Sequence, residues 1–213
     1  MCIICISRKG TPQPTESQIR AMFTRNPHGA GFMVATGQHV EIHKGYMNVS
    51  DLLADTRNFT SADAVVWHFR ISTQAGVSPE MTQPFPLLSA LGYLEELDAV
   101  CDIGIAHNGI IPMTSTGSSR YSDTALFVAR YATRLIRYQK DLRDPATLEI
   151  LKELTRSKLA IMDKSGYVAV VGGFLREKNG LLFSNNSYQS TFQPVKYSGT
   201  HSLMRSNFLQ RQV

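Results

Sequence analysis

Met1-Cys2-Ile3-Ile4-Cys5-Ile6-Ser7 opens the chain, and charge follows only at Arg8 and Lys9. From Cys2 to Ser7 the run is short and apolar, and it reads as a strand. A secretory signal would place positive charge first and a longer apolar stretch after it, so none is expected here. On a strand, residues 2 and 5 point to opposite faces. The first strand therefore carries one cysteine to each side.

Outward from this strand, the pattern alternates helices and strands. Thr15 with Gln18 three residues on makes a capping box, opening a helix to about Thr24. Gly31–Thr36 and His39–Lys44 read as a hairpin around Gly37. Ser50 is the expected cap of a helix over Leu52–Asn58. Val65–Ile71 is rich in β-branched and aromatic residues and reads as a strand. Three prolines between Pro79 and Pro86 predict a loop. Ile103–His107 is a strand ending in the turn dipeptide Asn108-Gly109.

Ser122 caps an expected helix from Asp123 to about Tyr138. Leu126, Phe127, Ala129, Tyr131, Ile136 and Tyr138 form its apolar face, and Arg130, Arg134 and Arg137 the other. A second helix is expected from Pro145 to Arg156. Lys158–Met162 and Tyr167–Val171 form a hairpin, and Leu181–Ser184 is the last strand. The sum is a mixed α+β fold with helices covering sheet faces.

The chain has 213 residues, 43% of them hydrophobic and 18% charged, which suits one globular domain with a full core. No window approaches the ~18 apolar residues of a transmembrane helix. Three cysteines cannot all pair within one chain, so free thiols in the cytoplasm are expected. The net charge of +5 is uneven. Residues 178–213 hold Lys178, Lys196, Arg205 and Arg211 and no acid. The reading is one domain over residues 1–191 and a basic, irregular tail over 192–213. Such a tail is either a solvated end or a surface for nucleic acid or an acidic partner.

Cys2 is the most telling residue because of where it sits: it reads either as a nucleophile or as a small core residue placed there by chance. Methionine aminopeptidase removes Met1 before a small second residue. The mature chain would then start with a cysteine bearing its own α-amine. An α-amine titrates near ~7.7–8.0 and a free thiol near ~8.5, so one residue holds both a base and a nucleophile. Cys2 and Cys5 also form C-x-x-C, half of a zinc or redox motif. No second C-x-x-C completes it, and Cys5 and Cys101 are expected in the core.

Polar clusters recur at loop positions: Arg25-Asn26-Pro27-His28-Gly29-Ala30-Gly31, His68-Phe69-Arg70-Ile71-Ser72-Thr73, Thr82-Gln83-Pro84-Phe85, His107-Asn108-Gly109-Ile110 and Ser122-Asp123-Thr124. Each alone is ordinary turn or cap chemistry. Together with Cys2, and in this order, they resemble the glutaminase domain of class II glutamine amidotransferases, which are N-terminal nucleophile (Ntn) hydrolases. The resemblance runs from Cys2 to about Ser187, where the Lys158–Val171 hairpin and Phe183-Ser184-Asn185 also look like the end of that domain, and it is closest to short stand-alone forms. Departures are Ile3 after the cysteine, His28 where aspartate is common, Gln83 for histidine, and Gln74-Ala75 for a His-Gly pair.

The resemblance implies a four-layer αββα sandwich, two antiparallel-rich sheets flanked by helices. It implies hydrolysis of L-glutamine to glutamate and ammonia through a Cys2 thioester. Asn108 and Gly109 would hold the oxyanion. Arg70 and Thr73 would bind the α-carboxylate of glutamine and Asp123 its α-ammonium. No metal or organic cofactor is implied. About 25 residues remain beyond the glutaminase region, too few for a synthetase domain: either an acceptor subunit in trans receives the ammonia, or the protein releases it, or it hydrolyses another amide. Two other readings stand beside it: an Ntn amidohydrolase for another γ-glutamyl-type amide, and a silent basic binding module.

Overall fold

The computed structural model describes residues 1–72, 76–112 and 120–189. Thr73, the Gln74-Ala75 pair and the tail over 192–213 lie outside these residues. The described chain is α+β with two antiparallel sheets.

The first strand is β1 (Ile3–Ser7). Next come β2 (Ala30–Ala35), β3 (Val40–Tyr46) and β4 (Val65–Phe69). They are followed by β5 (Phe85–Pro86), β6 (Asp98–Cys101) and β7 (Ile103–Asn108). The last four are β8 (Lys158–Asp163), β9 (Val168–Val171), β10 (Leu175–Arg176) and β11 (Leu182–Phe183). One sheet has seven strands in the order β10-β11-β1-β4-β2-β3-β6, and the other has four, β5-β7-β8-β9. Within the first sheet β1 lies between β11 and β4, with Cys5 opposite both Phe183 and Trp67.

This central place explains the opening run. Ile3 and Cys5 join a core with Trp67, Phe69 and Phe183. Ile4 and Ile6 join a different core with Met33, Val66, Ala106 and Met162. Both faces of β1 are buried, so the strand has no polar alternation to show. Helices α1 (Glu16–Arg25) and α2 (Val49–Thr56) supply Ile19, Met22 and Leu52 to the first core. A third core gathers Ile105, Leu159 and Ile161 of the smaller sheet with α3 (Asp123–Phe127) and α5 (Pro145–Thr155), through Phe127 and Leu151. Between those helices lie a π-helical stretch over Val128–Ala132 and the short α4 (Thr133–Leu135).

Several local expectations hold. The Thr15–Gln18 capping box forms, Ser122 caps α3, and the two hairpins pair antiparallel. Others are corrected. The cap of α2 is Asn48, whose side chain accepts from the Asp51 N–H, and Ser50 lies inside the helix. The proline segment is not all loop. Pro79–Met81 forms a 3-10 turn, and Phe85–Pro86 pairs with β7, where an edge position spares proline a donor. The helix expected to reach Tyr138 ends at Leu135, and Tyr138 is exposed rather than apolar-face packing. Arg130, Arg134 and Arg137 are all exposed. Asp98–Cys101 is an edge strand that carries Cys101 only half-buried, whereas Cys5 is fully buried.

Lys44 is a charged residue inside this architecture, 5% exposed. Its ammonium donates to the Glu80 and Leu94 carbonyls, both at 2.6 Å, and lies 4.3 Å from the Phe85 ring centroid. It thus clamps the proline segment onto the seven-stranded sheet. Burial pulls its pKa down to about 7. The unfolded value is ~10.4, so between the two the unfolded chain binds the extra proton and stability rises with pH. Below about 7 both states carry the charge, and the burial cost is fully present. Urea titrations of the wild type are expected to show the unfolding free energy climbing from about pH 7 to about pH 10. Lys44→Met should flatten that climb. Equal slopes in the two proteins would show that Lys44 is not the titrating group.

Candidate active site

Five structural ends converge on one cavity of about 400 Å³. They are the start of β1, the end of β4, the end of β7, the start of α3 and the junction of α5 with β8. Cys2, Arg70, Asn108, Gly109 and Asp123 all line it. Five of the six residues singled out from the sequence are therefore together. Thr73, the sixth, falls outside the described residues.

Cys2 sits just before β1, in a backbone clamp. Asn185 Nδ2 donates to its carbonyl at 2.7 Å, and the Ile4 N–H donates to Ser184 Oγ at 2.8 Å. The thiol lies between the Ile71 carbonyl, which accepts from it at 3.6 Å, and the Ile71 N–H, which donates to it at 3.5 Å. Burial pushes this thiol up from its ordinary pKa, opposed by the Ile71 N–H, the chain's N-terminal charge and Arg70. Met1 is 80% exposed and lines the same cavity.

Arg70 follows β4 and is buried. Its guanidinium donates to Ser72 Oγ at 3.2 Å and to the Gly76 carbonyl at 2.9 Å. Burial lowers its pKa, and Cys2 and Asp123 oppose that shift. The glycine turn before β2 holds this segment: the Arg70 N–H donates to the Gly29 carbonyl, and His28 Nδ1 accepts from the Ser72 N–H at 2.9 Å. The His28 side chain thus accepts from a backbone N–H where the resemblance leads one to expect aspartate. Gly31 is needed for close approach, since a Cβ there would lie 2.5 Å from the Gln83 carbonyl oxygen.

Asn108 ends β7 and is buried. Its Nδ2 donates to Ser184 Oγ at 2.8 Å, so one hydroxyl ties the Cys2 strand to the Asn108 side chain. The side-chain oxygen Asn108 Oδ1 is buried with no partner among the described residues, an unmet group of the kind that collects at functional sites. Gly109 follows with φ of +151°, in a region closed to most side chains. Asp123 begins α3. Its Oδ2 accepts from the Ile111 N–H and its Oδ1 from the Thr124 N–H, each at 2.7 Å. The loop after Gly109 is thereby pinned to the helix start.

The floor carries groups that sequence reasoning did not assign. Gln83, Thr124 and Ser157 surround His107, whose pKa burial pulls down to about 4 against the attraction of Asp123. Arg156 stands at the rim, exposed and with a left-handed φ of 48°. Lys158 donates to the Ser184 carbonyl. Ser157 belongs to no quoted motif, and Lys158 was legible only as the start of the expected hairpin. Among the described residues no group of three His, Cys, Asp or Glu side chains could hold a metal. No described helix is long and apolar enough to cross a membrane.

Chemically, the cavity offers a thiol, a fixed cation, a fixed carboxylate, and an amide beside a glycine backbone N–H. No protein-family model matches the chain, and no curated protein matches it.

Proposed function

We propose that this chain is the glutaminase component of a class II glutamine amidotransferase, a member of the Ntn hydrolases with their four-layer αββα architecture. The observation that carries the reading is the meeting of Cys2, Arg70, Asn108, Gly109 and Asp123 on one cavity, although 121 positions separate the first from the last. The three separate cores support the layered arrangement: helices α1 and α2 against one sheet, the two sheets against each other, and α3 and α5 against the second.

In this reading, removal of the exposed Met1 frees the Cys2 α-amine. The amine takes the thiol proton directly or through a water. Sulfur then attacks the γ-carbonyl of glutamine, and the carbonyl oxygen becomes an oxyanion. Asn108 Nδ2 has a second hydrogen beyond the one given to Ser184, and with the Gly109 N–H it stabilises that charge. The amine returns the proton to the departing nitrogen, ammonia leaves, and water hydrolyses the thioester to glutamate. Arg70 presents a planar fork to the α-carboxylate, and Asp123 pairs with the α-ammonium. Ammonia then passes to an acceptor site on another subunit.

Intact-mass spectrometry before and after 6-diazo-5-oxo-L-norleucine, a glutamine-shaped electrophile, tests this reading. The expected result is a chain lacking Met1 that gains one adduct, mapped to Cys2 and suppressed by glutamine. A chain that retains Met1 and takes no adduct would sink it.

A further inference from the structure

Both ring nitrogens of buried His107 meet hydroxyls. Nδ1 lies 2.8 Å from Thr124 Oγ1, and Nε2 lies 2.7 Å from Ser157 Oγ. The neighbours decide which partner donates. Gln83 Oε1 accepts from the His107 backbone N–H at 2.7 Å, so Gln83 gives its amide nitrogen to Thr124 Oγ1 at 3.2 Å. The Thr124 hydroxyl has one proton. Asp123 Oδ1, at 3.3 Å, can only accept, whereas His107 Nδ1 takes either role. The Thr124 proton therefore goes to Asp123, and His107 donates from Nδ1. Nε2 is then bare and accepts from Ser157. Burial, which keeps the imidazole neutral, leaves only one ring proton to place. The Ser157 proton is thus turned inward, and its lone pairs are left for the cavity it lines.

Gly109 lies next to the Ser157 hydroxyl. A Cβ built on Gly109 would lie 2.5 Å from Ser157 Cβ and 3.2 Å from Ser157 Oγ. The hydroxyl is therefore directly beside the glycine whose N–H serves the oxyanion. Donor and acceptor side by side are the complement of a primary carboxamide, which accepts at oxygen and donates at nitrogen. A carboxylate has no proton to give and would set an acceptor against an acceptor.

We propose that Ser157 reads the carboxamide nitrogen of the substrate, with His107 and Thr124 as positioning residues that hold its hydroxyl as an acceptor. The assignment rests on the glutaminase reading. It makes the site selective for glutamine over its own product glutamate.

The test uses the full, processed chain. NMR of protein labelled with 15N-histidine should show His107 neutral and protonated at Nδ1. Thr124→Val should release the proton to Nε2 and weaken the preference for glutamine over glutamate. Ser157→Ala is expected to lower kcat/KM for glutamine about tenfold, the scale of one neutral hydrogen bond. Labelling by the diazo analogue, which has no amide hydrogen, should stay unchanged. Ser157→Cys, similar in size and a poor acceptor, should behave as Ser157→Ala does, and guards against a folding defect. An Nε2-protonated His107 in the wild type overturns the proposal whatever the activity. So does a Ser157→Ala variant that loses glutamine turnover and analogue labelling equally, or loses neither. A wild type that hydrolyses no glutamine removes the glutaminase reading and the carboxamide assignment with it. A working wild type with an indifferent Ser157 removes the second alone.

Discussion

Cys2→Ala is expected to abolish glutamine hydrolysis, with a fall in kcat on the order of 10⁴ or more, as when an acyl-transfer nucleophile is deleted. Alanine is also small, so Met1 removal should proceed and the loss belongs to the thiol alone. Cys2→Ser should retain little, because an alcohol gives up its proton far less readily than a thiol. The state of Met1 adds a second arm. While Met1 is attached, Cys2 has an amide in place of an amine, and burial holds its thiol above the ordinary pKa. A chain made while methionine aminopeptidase is inhibited should therefore be inactive, and should gain activity when Met1 is trimmed in vitro. Ammonia release measured on the processed, unprocessed and Cys2→Ala forms decides it. Normal turnover by Cys2→Ala, or equal turnover with and without Met1, would show that another group is the nucleophile.

Much of the architecture was legible because local signals and tertiary contacts agree. Thr15 and Gln18 satisfy each other across one helical turn, which requires nothing from the rest of the chain. The β2–β3 and β8–β9 hairpins close over short turns with glycine where φ is positive, at Gly37 and Gly166. Where the reading failed, distant contacts decide. Asp98–Cys101 has little strand pattern and forms by pairing with β3, more than fifty residues away. Phe85–Pro86 becomes a strand because β7 offers an edge. The helix after Ser122 widens into a π stretch at Val128–Ala132, which residue spacing does not announce.

The site divides in the same way. Its polar groups in quoted motifs, from Cys2 to Asp123, were legible as types in an order. The geometry that joins them was not. Ser184 bridges Ile4 and Asn108 across 180 and 76 positions, and Ser157 reaches His107 across 50. Ser157 stands outside every quoted cluster, Ser184 was legible only as part of Phe183-Ser184-Asn185, and only the folded arrangement gives the two serines their partners.

Asn108→Ala is the second large effect. The residue has two bonds to lose, one structural and one in the reaction, and they are separable. The structural bond runs from Nδ2 to Ser184 Oγ at 2.8 Å and is buried. Losing it costs stability, but Ser184 keeps its bond from the Ile4 N–H. The other hydrogen on Nδ2 is assigned to the oxyanion, which exists only as the thioester forms. An interaction absent from the ground state acts on kcat and leaves glutamine binding nearly unchanged. The expected fall in kcat is ~10²–10³, with KM changed little. Ser184→Ala is the control, since it removes the structural bond and spares the oxyanion donor. If Asn108 only braces the fold, both variants should lose melting temperature and activity in parallel. If it holds the oxyanion, Ser184→Ala should melt lower yet keep most of its turnover, while Asn108→Ala loses turnover far beyond its loss of stability. Asn108→Asp sharpens the contrast: it keeps the shape but sets a carboxylate against developing negative charge, so it should be slower still than Asn108→Ala. An aspartate variant as active as the wild type would remove Asn108 from the reaction.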